Sequence, residues 1–190
     1  MKEYIECEFE KISENFLKLK RLSENIQKLS ECCIQAIQNG NKIIFCGNGG
    51  SAADSQHLAA ELVGRYKLNR RSIDSIALTT DTSIITAVAN DFGYEQIFAR
   101  QVEALGKSGD ILVGISTSGN SKNVLLAFEV AKQKGMTTVA FTGENGGEML
   151  KIADFKINVP SNVTNNIQEM HIAIGHLICG LIEKEVCNEK

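Results

Sequence analysis

With 190 residues, 43% of them hydrophobic, the chain can bury one sizeable core and is short for two. A net charge of −3 and a pI near 5.7 exclude the global basic field that nucleic acid or anionic membranes call for, so any phosphate must be held locally. No apolar run approaches the roughly 18 residues of a membrane span, and the charged start Met1-Lys2-Glu3-Tyr4-Ile5-Glu6 lacks a signal peptide's apolar centre; a cytoplasmic protein is expected.

From Lys2 to Gln38 apolar residues recur at steps of three and four (Ile5, Phe9, Ile12, Phe16, Leu19, Leu22, Ile26, Leu29, Cys33), which predicts amphipathic helix broken near Arg21 to Ser23. Its stripe must bury on the rest of the chain or on another subunit. After the helix stop Asn39-Gly40, a short apolar strand over 42–46 runs into the loop Gly47-Asn48-Gly49-Gly50-Ser51 and a helix from Ala52 to about Tyr66. Residues 73–78 read as a second strand. Two helices follow, over 82–89 and 95–105, with Asn90-Asp91-Phe92-Gly93 as the turn between them. A third strand over 110–115 enters the loop Ser116-Thr117-Ser118-Gly119-Asn120-Ser121, which opens a helix to Lys134. Then come a strand over 137–142, a short helix over 147–152, a strand over 155–159 and a long helix over 164–186. Strands alternating with helices predict a three-layer, doubly wound α/β sandwich with a five-stranded, mostly parallel sheet. In such sheets ligands bind outside the carboxyl ends of the strands, where both small-residue loops fall.

The loop 116–121 lies between a buried strand and a helix start, so the hydroxyls of Ser116, Ser118 and Ser121 and the amide of Thr117 converge as an anion site, with Gly119 allowing the tight turn. A plain turn with a serine N-cap has the same composition. Neither loop ends as a Walker P-loop does, the first puts Ala52 at the third glycine-or-alanine position of a dinucleotide fingerprint and so disfavours a nucleotide without excluding it, and no G-x-S-x-G elbow exists. The six cysteines form no C-x-x-C pair and are expected to be reduced packing residues.

Of the three histidines, His57 stands four residues before Glu61, so the two share a helix face and can chelate one divalent metal; a solvent-facing hydrogen-bonded pair has the same spacing. Gln168 and His176 lie eight apart on the last helix, about 12 Å of rise, and reach one ion only by leaning together. His171 points elsewhere and is expected to be structural. For Asn90 and Asp91, turn formation competes with binding of sugar hydroxyls.

Taken in order, Gly47 to Ser51, the His57/Glu61 pair, Asn90-Asp91-Phe92-Gly93, the run Gly114 to Ser121, and Ile167-Gln168-Glu169 followed by His171 and His176 resemble the sugar isomerase (SIS) domain family and, within it, the phosphoheptose isomerases. The resemblance covers nearly the whole chain, as one SIS domain over 1–190 with 1–39 as a helical extension. It implies a homotetramer with active sites at subunit interfaces. The implied reaction converts sedoheptulose 7-phosphate to D-glycero-D-manno-heptose 7-phosphate through an enediol, at the entry to bacterial heptose precursors of lipopolysaccharide or related glycans. By position, Ser116, Thr117, Ser118 and Ser121 would hold the phosphate with Ser51 nearby, and Asn48, Gly49, Gly50, Glu61, Asn90, Asp91 and Gln168 would contact the sugar. The resemblance assigns one zinc per subunit to His57, Glu61, Gln168 and His176, with Glu61 and His176 as the acid/base pair. Asn165 and Asn166 depart from the family pattern, which often carries arginine or aspartate there. The alternative is a non-catalytic SIS regulator resembling the DnaA-initiator-associating protein, which has no need of the complete His57, Glu61, Gln168, His176 set.

Overall fold

The computed structural model describes residues 1–187, except the side chain of Cys187. Five strands, β1 (Ile43–Gly47), β2 (Ser75–Ala77), β3 (Ile111–Ile115), β4 (Thr137–Thr142) and β5 (Phe155–Asn158), form one sheet in the order β2-β1-β3-β4-β5. Every pairing is parallel, with Ile43 opposite Ile111 and Ile115 opposite Phe141. β1 and β3 are buried at every position, as continuous apolar runs covered on both faces must be. Successive side chains divide between two layers. Ile43, Phe45, Val113 and Phe141 pack toward helices α2 (Ser23–Gln38), α3 (Gly50–Val63) and α8 (Thr164–Cys187). Ile44, Cys46, Leu112 and Ala140 pack toward α5 (Ala99–Leu105), α6 (Lys122–Gln133) and α7 (Met149–Ile152). The order of strands reverses at β1, so the loops leaving β1 and β3 diverge and leave a crevice between them.

Helix α1 (Lys2–Lys18) and α2 are separated by a 3-10 turn over Leu19–Leu22, close to the expected break. The two halves of the stripe fare differently. Helix α2 buries Ile26, Leu29, Cys33 and Ile37 on the sheet and α8, whereas α1 buries none of its residues and leaves Tyr4, Ile5, Phe9 and Leu17 exposed. Gly40, at φ 80°, ends α2 as expected.

Two expectations are corrected. Asn90, Asp91 and Phe92 form the last turn of α4 (Thr82–Phe92) instead of a loop, and Gly93 at φ 96° stops it. The apolar spacing of Ile84, Ile85, Val88 and Ala89 carries the helix through residues that otherwise favour turns. The expected helix over 95–105 is a 3-10 turn, Tyr94–Gln96, followed by the shorter α5. Cys7, Cys32, Cys33, Cys46 and Cys179 are free thiols; Cys33, Cys46 and Cys179 are buried, and burial pushes each of these three thiol pKa values up.

Candidate active site

The carboxyl ends of β1 and β3 each launch a loop into a helix. At the first, Gly47 sits so close to its surroundings that a Cβ would stand 2.8 Å from the Ser51 side chain and 2.9 Å from the Ile115 carbonyl of the neighbouring strand. Gly49, at φ 56°, turns the chain into α3, and the amides of Ser51 and Ala52 fold back on the carbonyls of Asn48 and Gly49. Over Gly50 lies the carboxamide of Gln168, 2.5 Å from where a Cβ would be. Backbone is thus the main surface offered here, and Ser51 itself is buried beneath it.

At the second loop, Ser121 occupies the N-cap of α6, yet its hydroxyl makes no capping bond to the helix amides. It pairs instead with Ser116 Oγ at 2.8 Å, and Ser116 Oγ lies 3.4 Å from Ser118 Oγ. Ser121 thus stands at the N-cap position but caps through its backbone carbonyl only, which accepts from the amides of Val124 and Leu125. Gly119, at φ 67°, lets the turn close, and a Cβ there would run into the Gly146 carbonyl. Three hydroxyls converge beside the first-turn amides of a twelve-residue helix, an arrangement suited to a phosphate group.

A third group is assembled on the seam between α3 and α8. His57 Nε2 lies 3.1 Å from Glu61 Oε1 and 2.9 Å from His176 Nε2. One donor atom from each of the three residues falls within 4.8 Å of the others. Two imidazole nitrogens and a carboxylate are a donor set that zinc accepts, and ligand atoms around a four-coordinate zinc stand about 3.3 Å apart, close to the separations here. Burial lowers the His176 pKa, His57 adds to that, and Glu61 opposes it. The Tyr66 ring stacks on His176 with centroids 5.6 Å apart.

Behind this cluster, Arg70 joins the two helices that carry it. Its guanidinium donates to the carbonyls of Glu61 and Leu62 at the end of α3 and to the Glu183 carboxylate on α8, with both side chains nearly fully buried. Glu183 also accepts from the amides of Tyr66, Lys67 and Leu68. Burial alone would raise its pKa; those amides and Arg70 outweigh burial and hold the carboxyl below its usual range.

Not every expected residue joins these groups. Gln168 is absent from the histidine cluster of its own chain, since it lies over Gly50, about 12 Å along α8 from His176. His57 is likewise seven residues, about 10 Å, along α3 from Gly50. Asn90 and Asp91 are exposed and bond to each other at 2.8 Å. His171 is buried, donates to the Thr142 carbonyl and is pushed down to about 4 by burial, so it stays neutral in the core.

The sequence reading missed Tyr66, Arg70 and Glu183, as well as Asn123 and Tyr94, which hold Asn48 (Asn48 Oδ1 accepts from both). It also missed Asp54 on α3, whose Oδ2 is buried without a partner among the described residues; burial raises its pKa, with His57 opposing. A sign existed for two of them: Asn123 and Glu183 are polar residues set among the apolar positions Val124, Ala127, Ile182 and Val186.

Residues 8–143 match the SIS domain family. Phosphoheptose isomerase of Akkermansia muciniphila is 59% identical over 98% of both chains, and that of Sulfurimonas denitrificans is 53% identical over 98% of this chain and 97% of its own. The structure of phosphoheptose isomerase from Neisseria gonorrhoeae superposes with a TM-score of 0.91 at 41% identity, covering 96% of this chain and 98% of that one. The chain belongs to the SIS domain family, among its phosphoheptose isomerases.

Proposed function

We propose that this protein is an aldose-ketose isomerase that interconverts sedoheptulose 7-phosphate and D-glycero-D-manno-heptose 7-phosphate. The observation that carries the reading is the convergence of Glu61 with two imidazoles in a chain that also builds a hydroxyl-lined phosphate cradle. Relatives sharing half or more of the sequence are phosphoheptose isomerases, which leaves the non-catalytic regulator without support.

Moving the carbonyl between C2 and C1 passes through an enediol, so one group must take a carbon-bound proton and another must handle the protons on the two oxygens. Glu61 takes the proton from carbon, and His176 exchanges protons with the oxygens. Ser116, Thr117, Ser118 and Ser121 hold the phosphate, with Ser51 nearby. The backbone of Asn48, Gly49 and Gly50, with Asn90, Asp91 and Gln168, lines the sugar.

Zinc held by His57, Glu61 and His176 would stabilise the enediolate's negative charge. Within one chain Gln168 and His176 lie too far apart to share an ion, which supports a homotetramer whose sites are completed across subunit interfaces, with Gln168 serving a neighbouring copy. The exposed apolar face of α1 suits such an assembly. In this reading the enzyme works in the cytoplasm and supplies heptose for lipopolysaccharide or related glycans.

A coupled assay on sedoheptulose 7-phosphate tests the proposal. Wild type with zinc turns over, and Glu61→Gln and His176→Gln each lose about 10²- to 10⁴-fold in kcat. No turnover by wild type, or full activity in both variants, overturns the reading.

A further inference from the structure

The crevice between the two loops is crossed by side chains to which binding and proton transfer assign no part. Asn123, buried in the first turn of α6, donates its Nδ2 to Asn48 Oδ1 at 2.8 Å. Asn48 returns the bond, Nδ2 to Asn123 Oδ1 at 2.9 Å. From a third segment, just after α4, whose last turn carries Asn90 and Asp91, the Tyr94 hydroxyl donates to the same Asn48 Oδ1 at 3.0 Å. The Asn48 oxygen is therefore doubly occupied and one of its two amide hydrogens engaged, which leaves that side chain little capacity to read sugar hydroxyls.

We propose that Asn48 and Asn123 are positioning residues. Their paired carboxamides set the spacing between the glycine shelf and the serine cradle, and Tyr94 ties the segment after α4 to the same point. The proposal rests on the reading of the crevice as a sugar phosphate site. Asparagine suits the task because each partner must donate and accept at once. Aspartate at either position would put two acceptor oxygens face to face, and alanine would leave a polar partner without its bonds.

If the brace sets a distance, a ligand that touches only the cradle should not sense its loss, and one that spans cradle and shelf should. The experiment compares KM for sedoheptulose 7-phosphate with the competitive inhibition constant of inorganic phosphate in Asn48→Ala, Asn123→Ala, the double variant and Tyr94→Phe. Each single alanine variant should raise KM about tenfold and change kcat less than threefold, with phosphate inhibition unchanged. The double variant should be about as impaired as either single one, because the two residues act as a unit. Tyr94→Phe removes one bond at an exposed position and keeps the fold, so it should raise KM about threefold.

Equal losses for phosphate and sugar phosphate, additive effects in the double variant, or unchanged KM in Tyr94→Phe overturn the proposal. Should wild type not turn over the sugar, the isomerase reading fails by itself. Calorimetric titration with the same sugar phosphate and with phosphate then decides the brace separately.

Discussion

In the cradle, six consecutive residues make the site: Ser116, Ser118 and Ser121 reach one another across a turn that Gly119 permits, and the helix they open supplies the amides. The histidine cluster draws on residues 119 positions apart and exists only where α3 and α8 lie side by side, tied by Arg70 and Glu183. A site made by one loop needs little beyond its own strand and helix. One made by two helices depends on how the whole layer docks, so it should be the more fragile of the two.

That contrast can be tested by substitutions that strike one region and spare the other. The largest effect should come from His57→Ala, which removes the donor shared by both short contacts. Zinc affinity should fall by about 100-fold or more, read by elemental analysis and chelator competition, with phosphate binding intact. Unchanged metal content would strike His57 from the ligand set.

Arg70→Met should follow, costing about 3 kcal/mol in denaturant unfolding, because Glu183 is left buried with one donor fewer. In the folded chain the Glu183 carboxyl is held below its ordinary range, so its contribution is full above an unfolded pKa of about 4.3 and is lost as pH falls through the folded value. Without Arg70 that loss sets in at higher pH, and the acid unfolding midpoint moves up. Zinc affinity should weaken in the same variant if the clasp holds the two helices in register.

Ser121→Ala should be the mildest: KM rises about tenfold through lost phosphate contact, while metal content and stability stay near wild type. A Ser121→Ala variant that lost its zinc would show that cradle and cluster are not independent.

The same division governs what could be read from the sequence. Strand β3, its serine loop and helix α6 are local, and their positions followed from periodicity and small-residue composition. His57 and Glu61 could be paired because helical spacing puts them on one face. His176 could be placed on a helix, but nothing in its own neighbourhood says that it meets His57; that depends on the α3–α8 seam, where Gly175 gives Leu58 room to approach. Asn90 and Asp91 were misjudged because turn-forming composition lost to the apolar spacing of α4. Arg70 and Glu183 escaped notice since a charged residue in a helix or loop ordinarily stands for a solvated surface, and only the fold shows that these two are buried together.

The Arg70–Glu183 clasp joins positions 113 apart, and its second half lies on the last described helix. During synthesis, when chains begin folding from the N-terminal side, the strands and the serine loop can form before α8 emerges. Assembly of the histidine cluster waits for α8, so an interrupted translation product ending before residue 164 would carry the serine loop without His176 or the clasp.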